Sequence, residues 1–180
     1  MTIEFSIINH SNAHQVIDLF EEVFTASAGE EEGRLLRQLV TKLVNETPEN
    51  DLHGFCAHEN GNLVGAIFFS RLALPNQTLG FMLSPVAVHG GCQGKGIGQK
   101  LIRFGLERLK KLGVELVVTY GDPAFYSKTG FKQVSTELIE PPYPLSQPIG
   151  WLAQMCTDRD IEPSNGKLGC VEAFNNPDYW

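Results

Sequence analysis

The sequence predicts an α/β fold, and three stretches predict it. The first is Phe81 to Leu112: FMLSPVAV, then HGGCQGKGIG, then QKLIRFGLERLKKL. A short apolar run with β-branched residues passes through a glycine-rich turn into a helical segment, whose Leu101, Ile102, Leu109 and Leu112 fall on one stripe. The second is Val114 to Tyr120, VELVVTY, a continuous apolar run of the kind buried on both faces of a sheet, including parallel ones. The third is Glu59-Asn60-Gly61-Asn62 between two apolar runs, where Asn-Gly is the strongest short-range hairpin signal.

Taken in order, Ile3 to Ile8 alternates weakly and reads as a first strand. Ser11 or Asn12 can cap a helix whose apolar positions are Val16, Ile17, Phe20, Val23 and Phe24. A polar loop is expected over Thr25 to Gly33, including Glu30-Glu31-Glu32. A second helix carries Leu35, Leu36, Leu39, Val40, Leu43 and Val44, and Pro48 and Asn50 end it. Leu52 to His58 and Leu63 to Leu72 are the hairpin strands, and Pro75-Asn76-Gln77 turns into the strand Phe81 to Val88. After the central helix and Val114 to Tyr120, Asp122 at a cap and Pro123 at the first helical position open a short helix that Gly130 closes. Phe131 to Leu138 reads as a strand, Pro141 to Pro148 as a stiff connection, and Ile149 to Thr157 as a returning strand. The tail, Asp158 to Trp180, is loop-rich but keeps Leu168, Val171 and Phe174, so it is expected to pack on the body.

At 180 residues the chain suits a single domain, 1–180, with its own core. A net charge of −7 argues against nucleic-acid binding and is compatible with a cationic or amine substrate. No apolar run is long enough to span a bilayer, and the start lacks a basic signal region. Cys56, Cys92, Cys156 and Cys170 form no C-x-x-C pair, so reduced thiols in a cytoplasmic protein are expected. His10 and His14 are spaced to share a helix face but lack a third ligand, so a surface or capping role is expected and no metal.

The glycine turn holds Gly90, Gly91, Gly94, Gly96 and Gly98. Residues without a Cβ let the backbone turn tightly and present successive N–H groups, and a helix start adds unpaired donors and partial positive charge. The expected ligand is a phosphate. A Walker A pattern would need Gly at His89 and Ser or Thr at Gly96, and G-x-G-x-x-G meets Gln99 where its last Gly belongs. What stands there, Gln93-Gly94-Lys95-Gly96-Ile97-Gly98, resembles the Q/R-x-x-G-x-G/A signature of the GNAT N-acetyltransferase superfamily. Downstream, Gly121-Asp122-Pro123, Tyr126 and Gly130-Phe131 resemble the bacterial subgroup typified by YhbS, as does Leu83-Ser84-Pro85-Val86-Ala87-Val88.

The resemblance implies a mixed central sheet of about seven strands, splayed between the fourth and fifth, with four helices. It implies acetyl-CoA as co-substrate, with its pyrophosphate on Gln93, Gly94, Lys95, Gly96, Ile97 and Gly98, and its pantetheine arm along Val86, Ala87 and Val88. The Val86 N–H is the nearest group to polarise the thioester carbonyl, and Tyr126 aligns with the tyrosine that protonates the departing sulfur. The acceptor would be an amine of a small molecule or a protein, attacking directly in a ternary complex. A noncatalytic acyl-CoA-binding sensor or scaffold is the alternative class, and a homodimer is an open expectation. Phe81 to Val88 contains no carboxylate, so no general base is assigned; Ser84, His89, Asp122 or a held water stay open.

Overall fold

The computed structural model describes residues 2–180. The strands are β1 (Ile3–Ile7), β2 (Leu52–Glu59), β3 (Asn62–Ala73), β4 (Leu79–Val88), β5 (Leu116–Tyr120), β6 (Lys132–Gln133), β7 (Trp151–Met155) and β8 (Gly169–Cys170). The helices are α1 (Ala13–Ala28), α2 (Glu30–Glu46), α3 (Ile97–Lys111) and α4 (Pro123–Tyr126). The strands form one mixed sheet in the order β1-β2-β3-β4-β5-β7-β6, with β8 paired to β3. The chain divides into two compact units, residues up to 68 with 85–105, and residues 69–84 with 106–180.

In the first unit, β1 pairs antiparallel with β2 from Ile3↔Glu59 to Ile7↔Phe55. Asn60 and Gly61 both take positive φ, 52° and 81°, as a tight hairpin turn between twisted strands requires. The interhelix loop expected over Thr25 to Gly33 shrinks to one residue. α1 runs through Ala28, Gly29 turns the chain at φ 101°, and α2 starts at Glu30. Glu30, Glu31 and Glu32 therefore fill the first turn of α2, beside its unpaired N–H groups, where negative charge is favoured. Gly33 lets the two helices approach: a Cβ there would stand 1.9 Å from the Thr25 Oγ1 and 2.8 Å from the Glu21 carbonyl. Arg37 of α2 bonds both Asp18 and Glu21 of α1, at 2.7 and 2.6 Å. Phe20 of α1 meets Phe68 at 5.9 Å between ring centroids, and Phe104 of α3 meets Phe5 and Phe55 at 5.3 and 5.6 Å. Phe20, Phe55 and Phe68 are buried, and each stabilises the fold by about 1.5–3 kcal/mol.

In the second unit, β4 and β5 pair in parallel from Gly80↔Leu116 to Leu83↔Thr119, and β5 pairs antiparallel with β7 from Leu116↔Met155 to Tyr120↔Trp151. The strand expected over Phe131 to Leu138 is only the two-residue β6, because Ser135 turns the chain. Its carbonyl accepts from the Ile139 N–H and its hydroxyl accepts from the Leu138 N–H. β7 is likewise narrower than expected, since Pro148–Gly150 forms a single 3-10 turn ahead of it. The tail contributes β8, an eighth strand beyond the seven expected, with Leu72↔Cys170 and Ala73↔Gly169 in register. Trp180 closes the chain against Trp151 at 6.2 Å, and its indole N–H donates to the Phe174 carbonyl at 3.1 Å. All four cysteines are free thiols. Among the described residues no helix is long and apolar enough to cross a membrane, and no group of three or more His, Cys, Asp or Glu is gathered for a metal ion. His14 instead pairs with Asp18 at 2.9 Å.

Candidate functional site

β4 is ten residues long, yet its ladder with β5 ends at Leu83↔Thr119. Ser84 to Val88 continue past that end. Pro85, with no N–H, stands at the first positions beyond it, where a regular ladder would be interrupted. At the last rung the Thr119 hydroxyl, on a fully buried residue, donates to the Leu83 carbonyl at 2.8 Å. Along the free stretch Ala87 is buried, whereas Val86 and Val88 are part-exposed.

The glycine turn, in the first unit, follows directly. His89 N–H donates to the Val64 carbonyl at 2.9 Å, and Gly90–Cys92 form a single 3-10 turn whose Gly91 N–H donates to His89 Nδ1 at 3.2 Å. The Gln93 amide reaches back to the Val88 carbonyl at 3.0 Å, fastening the turn to the strand. Gly94 and Gly96 both sit at φ 75°, and nothing stands within 4 Å of where a Cβ would be at either. Their backbone is thus bare and faces open space. The first bond of α3 runs from Lys100 N–H to the Gly96 carbonyl at 3.1 Å, so the amides of Ile97, Gly98 and Gln99 precede it as unpaired helix-start donors. Ile97 is buried and anchors the helix start, while Lys95 is exposed. Unpaired amides gathered in this way at a helix start favour an anion.

Tyr126 belongs to the second unit. Asp122 caps α4, its Oδ1 accepting from the Ala124 N–H at 2.9 Å, and Pro123 takes the first helical position. Gly130 closes the following turn at φ 99°. The Tyr126 ring meets Phe125 and Phe131 edge-on at 5.0 and 5.9 Å. Its phenol is pushed up to about 12, first by burial; a hydrogen bond with Thr119 works the other way, and the Asp122 charge adds to the rise. The phenol therefore carries its proton throughout the neutral and mildly alkaline range. Subtracting the alkaline absorbance titration of Tyr126→Phe from that of the wild type should show a phenolate emerging well above the ordinary ~10. Emergence at ~10 would contradict this upward shift. Because the unfolded chain loses this proton first, the same shift lowers stability as pH climbs from ~10 toward about 12.

Gly121 supports the ring. A Cβ there would meet Tyr126 Cε2 at 2.7 Å, so only glycine leaves the ring its place. Gly121→Ala should leave CoA affinity unchanged and lower kcat by up to roughly 10²-fold, the scale of a displacement of about 1 Å. Unchanged kcat would show that the ring position is immaterial.

Thr119 and Gly121, which the sequence did not mark, stand at the last β4–β5 rung and against the Tyr126 ring; the one signal was a lone hydroxyl inside an apolar strand. Of the groups left open as base, Asp122 is engaged as the cap, and His89 is held by Gly91 on one ring nitrogen and lies 3.3 Å from Glu22 on the other. Ser84 lies directly after the last β4–β5 rung.

Residues 50–133 match the family model described as an acetyltransferase (GNAT) domain. The N-acetyltransferase YjhQ of Escherichia coli K12, itself uncharacterized, is 29% identical over 140 residues, covering 74% of this chain and 77% of YjhQ. The crystal structure of the GNAT family N-acetyltransferase YhbS from Escherichia coli in complex with CoA superposes with a TM-score of 0.76 at 22% identity, covering 97% of this chain and 92% of that one. A GNAT family acetyltransferase from Brucella melitensis in complex with acetyl-CoA gives 0.69 at 23% identity, over 97% and 99%. A strand that outruns its parallel partner, unpaired amides at the following helix start, and these likenesses agree: the chain has the fold of the GNAT acetyltransferases of known structure, and its residues 50–133 are similar to the acetyltransferase (GNAT) domain.

Proposed function

We propose that this protein is an acetyl-CoA-dependent N-acetyltransferase that acts as one domain, 1–180, on an amine of a small molecule or protein. The observation that carries the reading is β4 outrunning its ladder with β5 at Leu83↔Thr119 and leading straight into the bare glycine turn. Free strand backbone suits an extended pantetheine arm at Val86, Ala87 and Val88, and the turn's amides suit a pyrophosphate across Gln93 to Gly98. The Val86 N–H polarises the thioester carbonyl as the tetrahedral intermediate forms. The neutral amine attacks the carbonyl carbon, the C–S bond breaks, and Tyr126 gives its proton to the departing thiolate. The amine's own proton leaves to a base, and the tyrosine is reprotonated from solvent. The acid–base scheme uses no metal. The exclusion of nucleic acid from its partners rests on the charge of −7, that of a membrane on there being no spanning helix among the described residues, and a cytoplasmic location on its free cysteines.

A screen of amines and peptide amino groups with acetyl-CoA, read as free CoA, tests this directly. Amine-dependent release is the expected outcome. Tight CoA binding with no amine-dependent release from any class of amine would favour the noncatalytic acyl-CoA-binding module instead.

A further inference from the structure

The second unit holds a cavity of about 570 Å³ beside the proline-rich connection between β6 and β7, which no step above uses. Its size is that of a small-molecule site. Pro144, Leu145 and Pro148 supply apolar wall, and Tyr143 supplies an aromatic one. The site is built before any ligand arrives. The Tyr143 hydroxyl donates to Asn175 Oδ1 at 2.5 Å, and its ring lies 6.5 Å from Trp180. The prolines fix their own φ angles.

Its charge is uneven. Glu137 and Glu140 both line the cavity, and neither forms an ion pair among the described residues. Both side chains are exposed, but their backbone is fixed: Glu137 lies inside the turn that Ser135 closes, and the Glu140 N–H donates to the Ser164 hydroxyl at 3.1 Å. One cation, Lys167, also lines the cavity: its backbone bridges that of Glu140, and its ammonium sits 5.1 Å from the centre of the Tyr143 ring. The protein thus already places an ammonium on this aromatic face, and one carboxylate remains in excess over it.

The cavity wall is also tied to the seat of Tyr126. Between Leu145 and Pro148, the Ser146 hydroxyl lies 3.0 Å from the Tyr120 hydroxyl, and the Gln147 N–H donates to that same oxygen at 2.7 Å. The Gly121 N–H then donates to the Gly150 carbonyl at 2.9 Å, and Gly121 is the residue on which the Tyr126 ring rests. One short run of chain therefore walls the cavity on one side and braces the end of β5 on the other.

We propose that this cavity holds the acceptor as an organic cation with an apolar body: Glu137 and Glu140 take an ammonium, and Tyr143, Pro144, Leu145 and Pro148 take the body. The inference rests on the acetyltransferase reading and narrows it. An amine must be neutral to attack a thioester, whereas the nitrogen held by two carboxylates stays protonated. The acceptor class that satisfies both is a diamine, one nitrogen held and the other reacting, with an apolar spacer between them.

Calorimetric titration with para-xylylenediamine, and with benzenedimethanol as its neutral counterpart, tests this on the whole chain. The diamine should bind, and the diol should bind at least about 10-fold more weakly. The double variant Glu137→Gln/Glu140→Gln should lose diamine affinity by roughly 10- to 100-fold, the loss expected for hydrogen bonds to charged groups. Its CoA affinity and circular dichroism should match the wild type, which shows that the variant is folded. No diamine binding, equal affinity for diol and diamine, or unchanged affinity in the folded double variant would each overturn the proposal. The two readings fail separately: a wild type that binds the diamine through these glutamates but does not bind CoA keeps the cation site and loses the acetyltransferase.

Discussion

Tyr126→Phe should lower kcat by roughly 10²–10⁴-fold while acetyl-CoA affinity stays nearly unchanged. The ring is held by Phe125, Phe131 and the bare face of Gly121, so phenylalanine keeps the packing. What disappears is a proton donor whose phenol lies at about 12. Such a donor is protonated at every working pH, but giving its proton fully to a thiolate of ~8.5 is uphill. Its contribution must therefore grow with the charge that develops on sulfur as the C–S bond breaks. The penalty of Tyr126→Phe should shrink with an acyl donor whose thiol is more acidic. A damaged pocket would penalise good and poor leaving groups alike. Equal penalties for both donors, or wild-type turnover in the variant, would remove Tyr126 from the mechanism.

Gly96→Val should abolish CoA binding in a chain that still folds. Gly96 stands at φ 75° with open space where a Cβ would be, so the obstacle is the backbone conformation rather than a clash. A β-branched residue there costs about 1–2 kcal/mol. For a chain of this size that lowers Tm by about 2–8 °C. The turn relieves the strain by leaving the left-handed region, and this re-aims the amides at the start of α3. Calorimetry on the folded variant reads the result, and unchanged CoA affinity would overturn the anion seat.

The parts of the site that were legible in the sequence are those where one residue's stereochemistry dictates the local geometry. Asn60 and Gly61 at positive φ, Asp122 accepting from the Ala124 N–H, Pro123 opening α4 and Gly130 closing the next turn all stand as their chemistry required. The strand, turn and helix from Leu79 to Lys111 were legible because the apolar period changes at a cluster of glycines. The interhelix boundary was not, because three glutamates before a glycine read as solvated loop. In the fold the glutamates instead offset the helix dipole, and Gly33 lets α2 pack against Thr25. β6 and β8, at two residues each, are too short to show any period, and their pairing comes from distant partners at Leu152, Ala153, Leu72 and Ala73. Thr119 and Gly121 act through contacts with Leu83 and Tyr126 that only the folded chain brings about.

The central claim is that the acetyl group passes directly from acetyl-CoA to the amine, with no covalent intermediate on the protein. Initial rates measured over a grid of acetyl-CoA and acceptor concentrations test it most directly. Direct attack in a ternary complex predicts double-reciprocal lines that intersect. Parallel lines, together with an acetyl group retained on the protein after acetyl-CoA alone, would show a ping-pong reaction through a protein nucleophile and contradict the account.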